Sequence, residues 1–461
     1  MQKGLTGPKL SWDDRQKNLI EWLSTCEEFR VNKSVFLRDD SKSGRGLYLK
    51  SGKIRKDEIV VSIPSERQLN FNTVSYHISK FNPAVSFDGI DSQDLKPPVD
   101  KDDPRFTLYN VLDNEVLGNL SSFQLLSLYI LFEWKMLPCW NTVSFWKPFF
   151  DVFPTFDELN SIPALWILDP RSKNQELFDL LPSSSKAHAK RIASQVEDDW
   201  LVIKSFVEIW RTAIAEEHRP AMEALYQCFS HIYFIINSRC LYINVPLKDN
   251  VEDKFTMVPF VDFLNHDSDS DVYCTPYVNS LRRGKYGLGT FSIVGGSHEY
   301  NQVGEEVLLN YGPHSNDFLL NEYGFTLAEN KWNYIDVSPQ VECVISDPCV
   351  QKFLAEKGFW GEYTISKSDV SFRLIVAFAA KVCPDLRKVE KLMFGYLTEA
   401  SFNPQLQSLL EEFLSSLLKT TQSRIRSIGR NIGSGDISVY NVMNIYEGYS
   451  KILQHHLTDS P

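Results

Sequence analysis

The 461-residue chain carries 59 acidic against 48 basic residues, a net charge of −11, with 43% hydrophobic and 13% aromatic residues. That is the composition of a globular protein with two or three domains and large cores, and it argues against low-complexity or collagen-like structure. The acidic balance disfavours nucleic acid as a partner and favours basic proteins.

There is no run of 18 apolar residues and no apolar signal-peptide stretch after Met1, so neither a membrane partner nor export is expected. The eight cysteines are scattered without a CxxC pair, which signals neither zinc nor a redox dithiol, and no metal site is expected.

In chain order, residues 11–28 read as a helix capped by Ser11 or Asp13, with Leu19, Trp22, Leu23 and Cys26 on one face. Gly44-Arg45-Gly46 leads into Leu47-Tyr48-Leu49, and Glu58 to Ile63 reads as a strand stopped by Pro64. Residues 82–105, rich in Asp and Pro and including Lys96-Pro97-Pro98, read as an exposed loop. From 121 to 236 the pattern is helical: Val196, Trp200, Ile203, Val207, Trp210 and Ile214 form one stripe. Pro220 breaks that run, and Leu225, Cys228, Ile232 and Ile235 start a second stripe. Short strands are expected at Leu241–Val245, Phe255–Phe260, Tyr286–Val294 and Val307–Asn310. Beyond 335 helices return, with Leu406, Leu409, Leu410, Phe413 and Leu417 on one face and Val439, Val442, Ile445, Tyr449 and Leu453 on another. The basic run from Arg424 and Arg426 to Arg430 reads as a solvated helix end or loop, with contact to RNA as the alternative.

Two segments concentrate polar residues among apolar ones: Val261-Asp262-Phe263-Leu264-Asn265-His266, and Gly304-Glu305-Glu306-Val307-Leu308-Leu309-Asn310-Tyr311-Gly312. Taken singly, the first is a loop with satisfied side chains, and the second is a turn and strand ending in a core tyrosine. Their order and spacing are more specific. Together with Gly44, Ser238-Arg239-Cys240, Phe145-Trp146-Lys147-Pro148-Phe149-Phe150 and Glu322-Tyr323-Gly324-Phe325, they resemble the SET-domain protein-lysine methyltransferases. More narrowly, they resemble the branch that includes the Rubisco large-subunit methyltransferase and the fungal ribosomal-protein lysine methyltransferases, over about 15–455.

The resemblance implies an α+β fold. An irregular β SET core with a pseudoknot spans 15–325, with a helical insertion at about 106–236, and an all-α substrate-binding domain covers 326–461. It implies S-adenosylmethionine as cofactor and a catalytic Tyr311 beside the transferred methyl. Gly44, Arg45, Gly46, Arg239, Asn265 and His266 are assigned to the cofactor, Arg239 facing its carboxylate. Ser238, Asp262, Tyr277, Tyr323 and Phe325 are assigned to the lysine side, with Tyr273 an alternative to Tyr277. The spacing from Tyr311 to Tyr323 is one residue shorter than in some relatives, and the cysteine-rich zinc segments of many histone enzymes are missing.

The reaction explains these residue types. Lysine has a pKa of about 10.4, so an apolar, aromatic-walled channel that disfavours the ammonium helps supply the neutral amine. The implied substrate is a basic non-histone protein, a ribosomal protein or translation factor, met in the cytoplasm with the nucleus as a second compartment. Two other readings keep the scaffold: methylation of histidine, whose ring is already neutral at pH 7, and a binding protein that has lost catalysis.

Overall fold

The computed structural model describes residues 10–40, 44–86, 100–169, 172–250, 253–269, 272–279, 287–431 and 436–458. Lys96-Pro97-Pro98 lies outside the described residues. Contacts divide the chain into one unit of residues 1–159 and 194–312 and another of 160–193 and 313–461. Among the described residues no helix is long and apolar enough to cross a membrane.

The first unit opens with the helix Trp12–Ser24, whose first turn is capped by Ser11 accepting from the Asp14 amide at 3.1 Å. Leu19 and Leu23 are its buried anchors, and it ends four residues before the expected 28. Four antiparallel strands then build the main sheet, in the order β1 (Arg30–Val31), β4 (Ile59–Ile63), β9 (Thr290–Val294), β8 (Thr275–Asn279). Beside it stand the hairpin of β2 (Val35–Asp40) with β3 (Gly44–Leu49), and a sheet ordered β5 (Leu69–Asn70), β7 (Phe255–Met257), β6 (Cys240–Tyr242). The ladders of β6, β7 and β9 are shorter than the expected 241–245, 255–260 and 286–294. These sheets are small, with ladders of two to six paired residues.

The helices between Arg105 and Arg239 are built on apolar stripes. Val196, Ile203, Val207 and Trp210 of the helix Ser183–Ala213 are fully buried, and Leu225, Ile232 and Ile235 are buried in Met222–Arg239. The helix Ser122–Ile130 packs on Met222–Arg239 and runs on into a π-helical turn, Leu131–Met136. That wider turn carries Glu133 into the core, where its side chain is fully buried. Tyr109 Oη donates to Glu133 Oε1 at 2.5 Å, Ser144 Oγ donates to Oε2 at 2.5 Å, and Arg105 Nη1 lies 3.4 Å from Oε1. Burial raises the Glu133 pKa, and the Arg105 charge opposes that rise.

Among the described residues the regular elements of the second unit are helices and one two-stranded ribbon, β10 (Tyr334–Asp336) with β11 (Thr364–Ser366). Its core gathers Leu374, Phe378, Phe413, Val442, Ile445 and Leu453. The long helices Gln405–Asn431 and Ile437–Thr458 pack against each other there, as their apolar faces require. Asp317, in the first turn of the helix Asn316–Tyr323, is half-buried and accepts from Tyr449 Oη at 2.7 Å. Burial pushes its carboxyl up to about 6, with Asp336 adding to the rise and Tyr449 and His188 opposing it.

Removing the Glu133 carboxylate leaves Arg105, Tyr109 and Ser144 buried without their shared acceptor. Glu133→Ala is expected to cost about 3–5 kcal/mol, read as a lower denaturant midpoint with an unchanged slope. Asp317 has the opposite signature. Its folded pKa lies above the ordinary 3.8, so the native state holds more protons between about 4 and 6 and loses stability as pH rises through that window. Asp317→Asn is expected to flatten the fall of Tm with pH there, removing a penalty of roughly 3 kcal/mol above pH 6.

Candidate active site

The site is assembled around an extended segment, 305–311, in the first unit. On one side Leu49 N donates to Glu305 O at 2.8 Å and Val307 N to Leu47 O at 2.7 Å, fastening the segment to β3. On the other side Leu309 N donates to Asn265 O at 2.9 Å and Asp267 N to Leu309 O at 3.0 Å. Cys274 N adds a bond to Leu308 O at 3.1 Å. The strand expected at Val307–Asn310 is therefore a set of isolated pairings, Tyr48 with Glu306 and both His266 and Cys274 with Leu309. Because the bonds alternate between partners, no single ladder forms. Val307 and Leu309 are buried while Glu306 and Asn310 are half-buried.

Those alternating side chains tie the loop down. Asn265 Nδ2 donates to Glu306 Oε1 at 2.7 Å and reaches Arg45 O at 3.2 Å. Asn310 Nδ2 donates to Asp267 O at 2.7 Å. Tyr311 follows directly. Its backbone amide donates to His266 Nδ1 at 3.0 Å, and its ring stacks on that imidazole with centroids 5.0 Å apart. The bond makes Nδ1 an acceptor, so the neutral ring carries its proton on Nε2. The Tyr311 hydroxyl donates to Leu264 O at 2.7 Å. Burial pushes this phenol well above its ordinary range; Arg239 opposes the rise while Asp262 and Glu306 add to it.

Arg239 ends the helix Met222–Arg239 and donates from Nη1 to Asp262 O at 2.8 Å, with Asp262 Oδ2 at 3.5 Å. Asp262 sits in the short turn Val261–Phe263, and burial raises its pKa against the pull of Arg239. Asp262 Oδ1 and Arg239 Nε are both buried without a hydrogen-bond partner. Arg45 turns its side chain elsewhere. It donates to Val152 O at 2.8 Å and Glu158 Oε1 at 2.7 Å and lies 4.3 Å over the Trp12 ring. Burial lowers its pKa, Glu158 opposes that fall, and the like charge of Arg239 adds to it.

The backbone of β3 is bare where it meets this cluster. A Cβ on Gly46 would stand 2.6 Å from Glu306 Oε1, 2.9 Å from the Tyr48 ring and 3.2 Å from Asn265 Nδ2. Gly44 has open space around it but a φ of +71°, which glycine tolerates.

Gly46, the Arg45 carbonyl, Asn265, His266, Tyr311, Arg239 and Asp262 thus come together. Ser238 spends its hydroxyl on Phe234 O, 2.7 Å away within its own helix. Tyr277 projects from β8 opposite Ser292 and is exposed, while Tyr273 is half-buried against the rings of His298 and Tyr300. Tyr323 and Phe325 belong to the second unit, their rings 6.1 Å apart across Gly324. Glu306 was not among the expected site residues. Its signal in the sequence is the alternation of Glu306 and Asn310 with buried Val307 and Leu309.

A family model of the ribosomal lysine N-methyltransferase 2 C-terminal domain matches residues 333–459. Ribosomal lysine N-methyltransferase 2 of Saccharomyces cerevisiae is 41% identical over 470 aligned positions, covering 96% of this chain and 98% of that protein. The chain belongs to the ribosomal lysine N-methyltransferase 2 family. That family lies in the SET-domain branch whose resemblance the two motifs carry. Ribosomal lysine N-methyltransferase set11 of Schizosaccharomyces pombe is 29% identical over 44% of this chain and 46% of its own length. Among solved structures, the SET domain of LSMT bound to lysine and AdoHcy superposes with a TM-score of 0.59 at 16% identity, covering 97% of this chain and 91% of that one. A second, bound to AdoMet, gives 0.57 at 16% identity, covering 97% and 91%. These likenesses place the fold among SET domains.

The residues present fit a sulfonium amino-acid cofactor. Its carboxylate end needs a guanidinium with spare hydrogen-bonding capacity, and the unpartnered Arg239 Nε offers one. Gly46 lets Glu306, Tyr48 and Asn265 pack directly on the β3 backbone, where a Cβ would not fit. Gly46→Ala pushes a methyl into Glu306, Tyr48 and Asn265. S-adenosylmethionine affinity, read by titration calorimetry, is expected to fall at least about tenfold, in line with an overpacking cost of ~1–3 kcal/mol.

Proposed function

We propose that the chain is an S-adenosylmethionine-dependent protein-lysine N-methyltransferase acting on a ribosomal protein, with Tyr311 as its catalytic tyrosine. The observation that carries the reading is the clasp on Tyr311, its amide on His266 Nδ1 and its hydroxyl on Leu264 O. The identity to the yeast ribosomal enzyme over the full chain supports both reaction and substrate class.

S-adenosylmethionine, when bound, supplies an electrophilic methyl on a sulfonium. The chain's residues do the rest by placement. Burial keeps the Tyr311 phenol protonated across the working pH range. Its proton is committed to Leu264 O, so the lone pairs of its oxygen remain to face positive charge and orient a methyl group. Asn265 and His266, locked by Glu306 and Tyr311, present their backbone to the adenine end. Arg239 takes the carboxylate end. The buried Asp262 carboxyl and the Ser238 carbonyl accept hydrogen bonds from the incoming amine, and Tyr277 contributes to the wall of its channel. Holding the two reactants in line in a water-poor site can lower the barrier by about 7–11 kcal/mol, so a dedicated strong base is not required. The first 325 residues form the catalytic part and the helical remainder docks the substrate protein. A ribosomal target places the enzyme in the cytoplasm, with the nucleus as a second compartment.

The test is label transfer from methyl-labelled S-adenosylmethionine to salt-washed ribosomes. A single basic ribosomal protein is expected to be labelled. Tyr311→Phe should reduce the rate by about 10²-fold or more while cofactor affinity stays nearly unchanged. Acid hydrolysis of the product should release methyl-lysine; methyl-histidine would replace this reading with the histidine one. Cofactor binding without transfer to any fraction would leave a scaffold.

A further inference from the structure

The second unit carries a surface whose chemistry differs from the acidic chain around it. The helix Leu386–Met393 buries Val389 and Leu392 and turns Arg387, Lys388 and Lys391 to solvent. Its acidic residues are otherwise engaged: Asp385 caps the first turn by accepting from the Arg387 amide at 3.1 Å, and Glu390 pairs with Lys357 at 2.5 Å. The helix ends in a tight turn. Gly395, at φ +75°, donates to Leu392 O at 3.0 Å, and Tyr396 N donates to Lys391 O at 2.8 Å. These are the two bonds of a Schellman cap, a motif whose second residue past the cap ordinarily packs an apolar side chain back on the helix.

Here that residue does not pack back. Tyr396 is 79% exposed, and Phe394 on the other side of Gly395 is 66% exposed. Burying either ring would have contributed about 1.5–3 kcal/mol, so the turn holds both outward at a cost to stability. The backbone beneath them is pinned by the cap, which presents the rings with little freedom to lose on binding. From 385 to 396 they are the only large hydrophobics that stand exposed. Two isolated rings among three cations do not make the continuous apolar core of a protein interface. They do match single-stranded nucleic acid, where rings stack on bases and cations meet phosphates.

We propose that this surface — Arg387, Lys388, Lys391, Phe394 and Tyr396 — binds a single-stranded segment of RNA. Phe394 and Tyr396 each stack on a base, and the three cations follow the phosphate backbone. The overall charge of −11 does not oppose this, because charges beyond about 8–10 Å are screened at physiological salt and the local balance decides the contact. The contact is independent of methyl transfer, and would serve an enzyme whose target protein lies among RNA.

The experiment is fluorescence anisotropy of the full-length chain with a labelled 12-nucleotide oligouridylate at 50–200 mM salt. Saturable binding is expected, with a log–log salt slope near −2, or about 0.7 for each of three phosphates. Phe394→Ala and Tyr396→Ala should each weaken binding about tenfold, while Phe394→Trp and Tyr396→Trp retain it. Arg387→Ala/Lys388→Ala/Lys391→Ala should remove most of the slope. All five positions are exposed, so the variants should melt like the parent chain. No saturable binding at 50 mM salt, or affinity indifferent to these substitutions, overturns the proposal. A polyglutamate peptide bound with the same dependence on the two rings overturns the assignment to RNA in favour of an acidic protein.

Discussion

The first unit depends on the hydrogen bonding of residues 305–311. This segment bonds to β3 through Glu305 and Val307 and to the 265–267 loop through Leu309, so it fixes the register of two parts of the chain more than 200 residues apart. Each bond contributes only about 1 kcal/mol net, but a buried amide left without its acceptor costs more. The arrangement is therefore sharply specified: shifting the segment by one residue would expose Val307 and Leu309 and bury Glu306 and Asn310. Tyr311 inherits its position from this constraint, since it is the next residue along.

Charge in this region is organised by burial. Asp262 is pushed toward its neutral form by desolvation and held back by Arg239, and Arg45 feels Arg239 as a like charge while Glu158 opposes it. Carboxylate and guanidinium groups with buried, unpartnered atoms are costly in a finished core. Under the proposed function the same atoms are completed by the cofactor's carboxylate and by the incoming amine. The Glu133 cluster shows the contrast: both of its carboxylate oxygens accept hydrogen bonds, and they join Tyr109 and Ser144 inside the core.

The second unit shows the same distinction between average and local properties. Its core is apolar, yet it encloses Asp317 on Tyr449 and presents a basic, aromatic corner from an acidic chain. Neither feature follows from composition. Each depends on which residues a helix turns inward and where its last turn stops.

By itself the sequence determined the family, the reaction class and most of the residues that meet around Tyr311. Those residues fall in short motifs whose order survives in one dimension, and the helical stripes of Val196–Ile214 and Val439–Leu453 obey a period that local geometry imposes. Strand ends were less legible, because sheets this small are terminated by partners distant in sequence. Tertiary structure decided that 307–310 is clasped from two sides, that Glu306 holds Asn265, and that the Arg45 side chain turns to Trp12 and Glu158. It also decided which rings face solvent at Phe394 and Tyr396. The physical reason is common to all of these: a hydrogen bond or burial between positions far apart in the chain leaves no periodic trace along it.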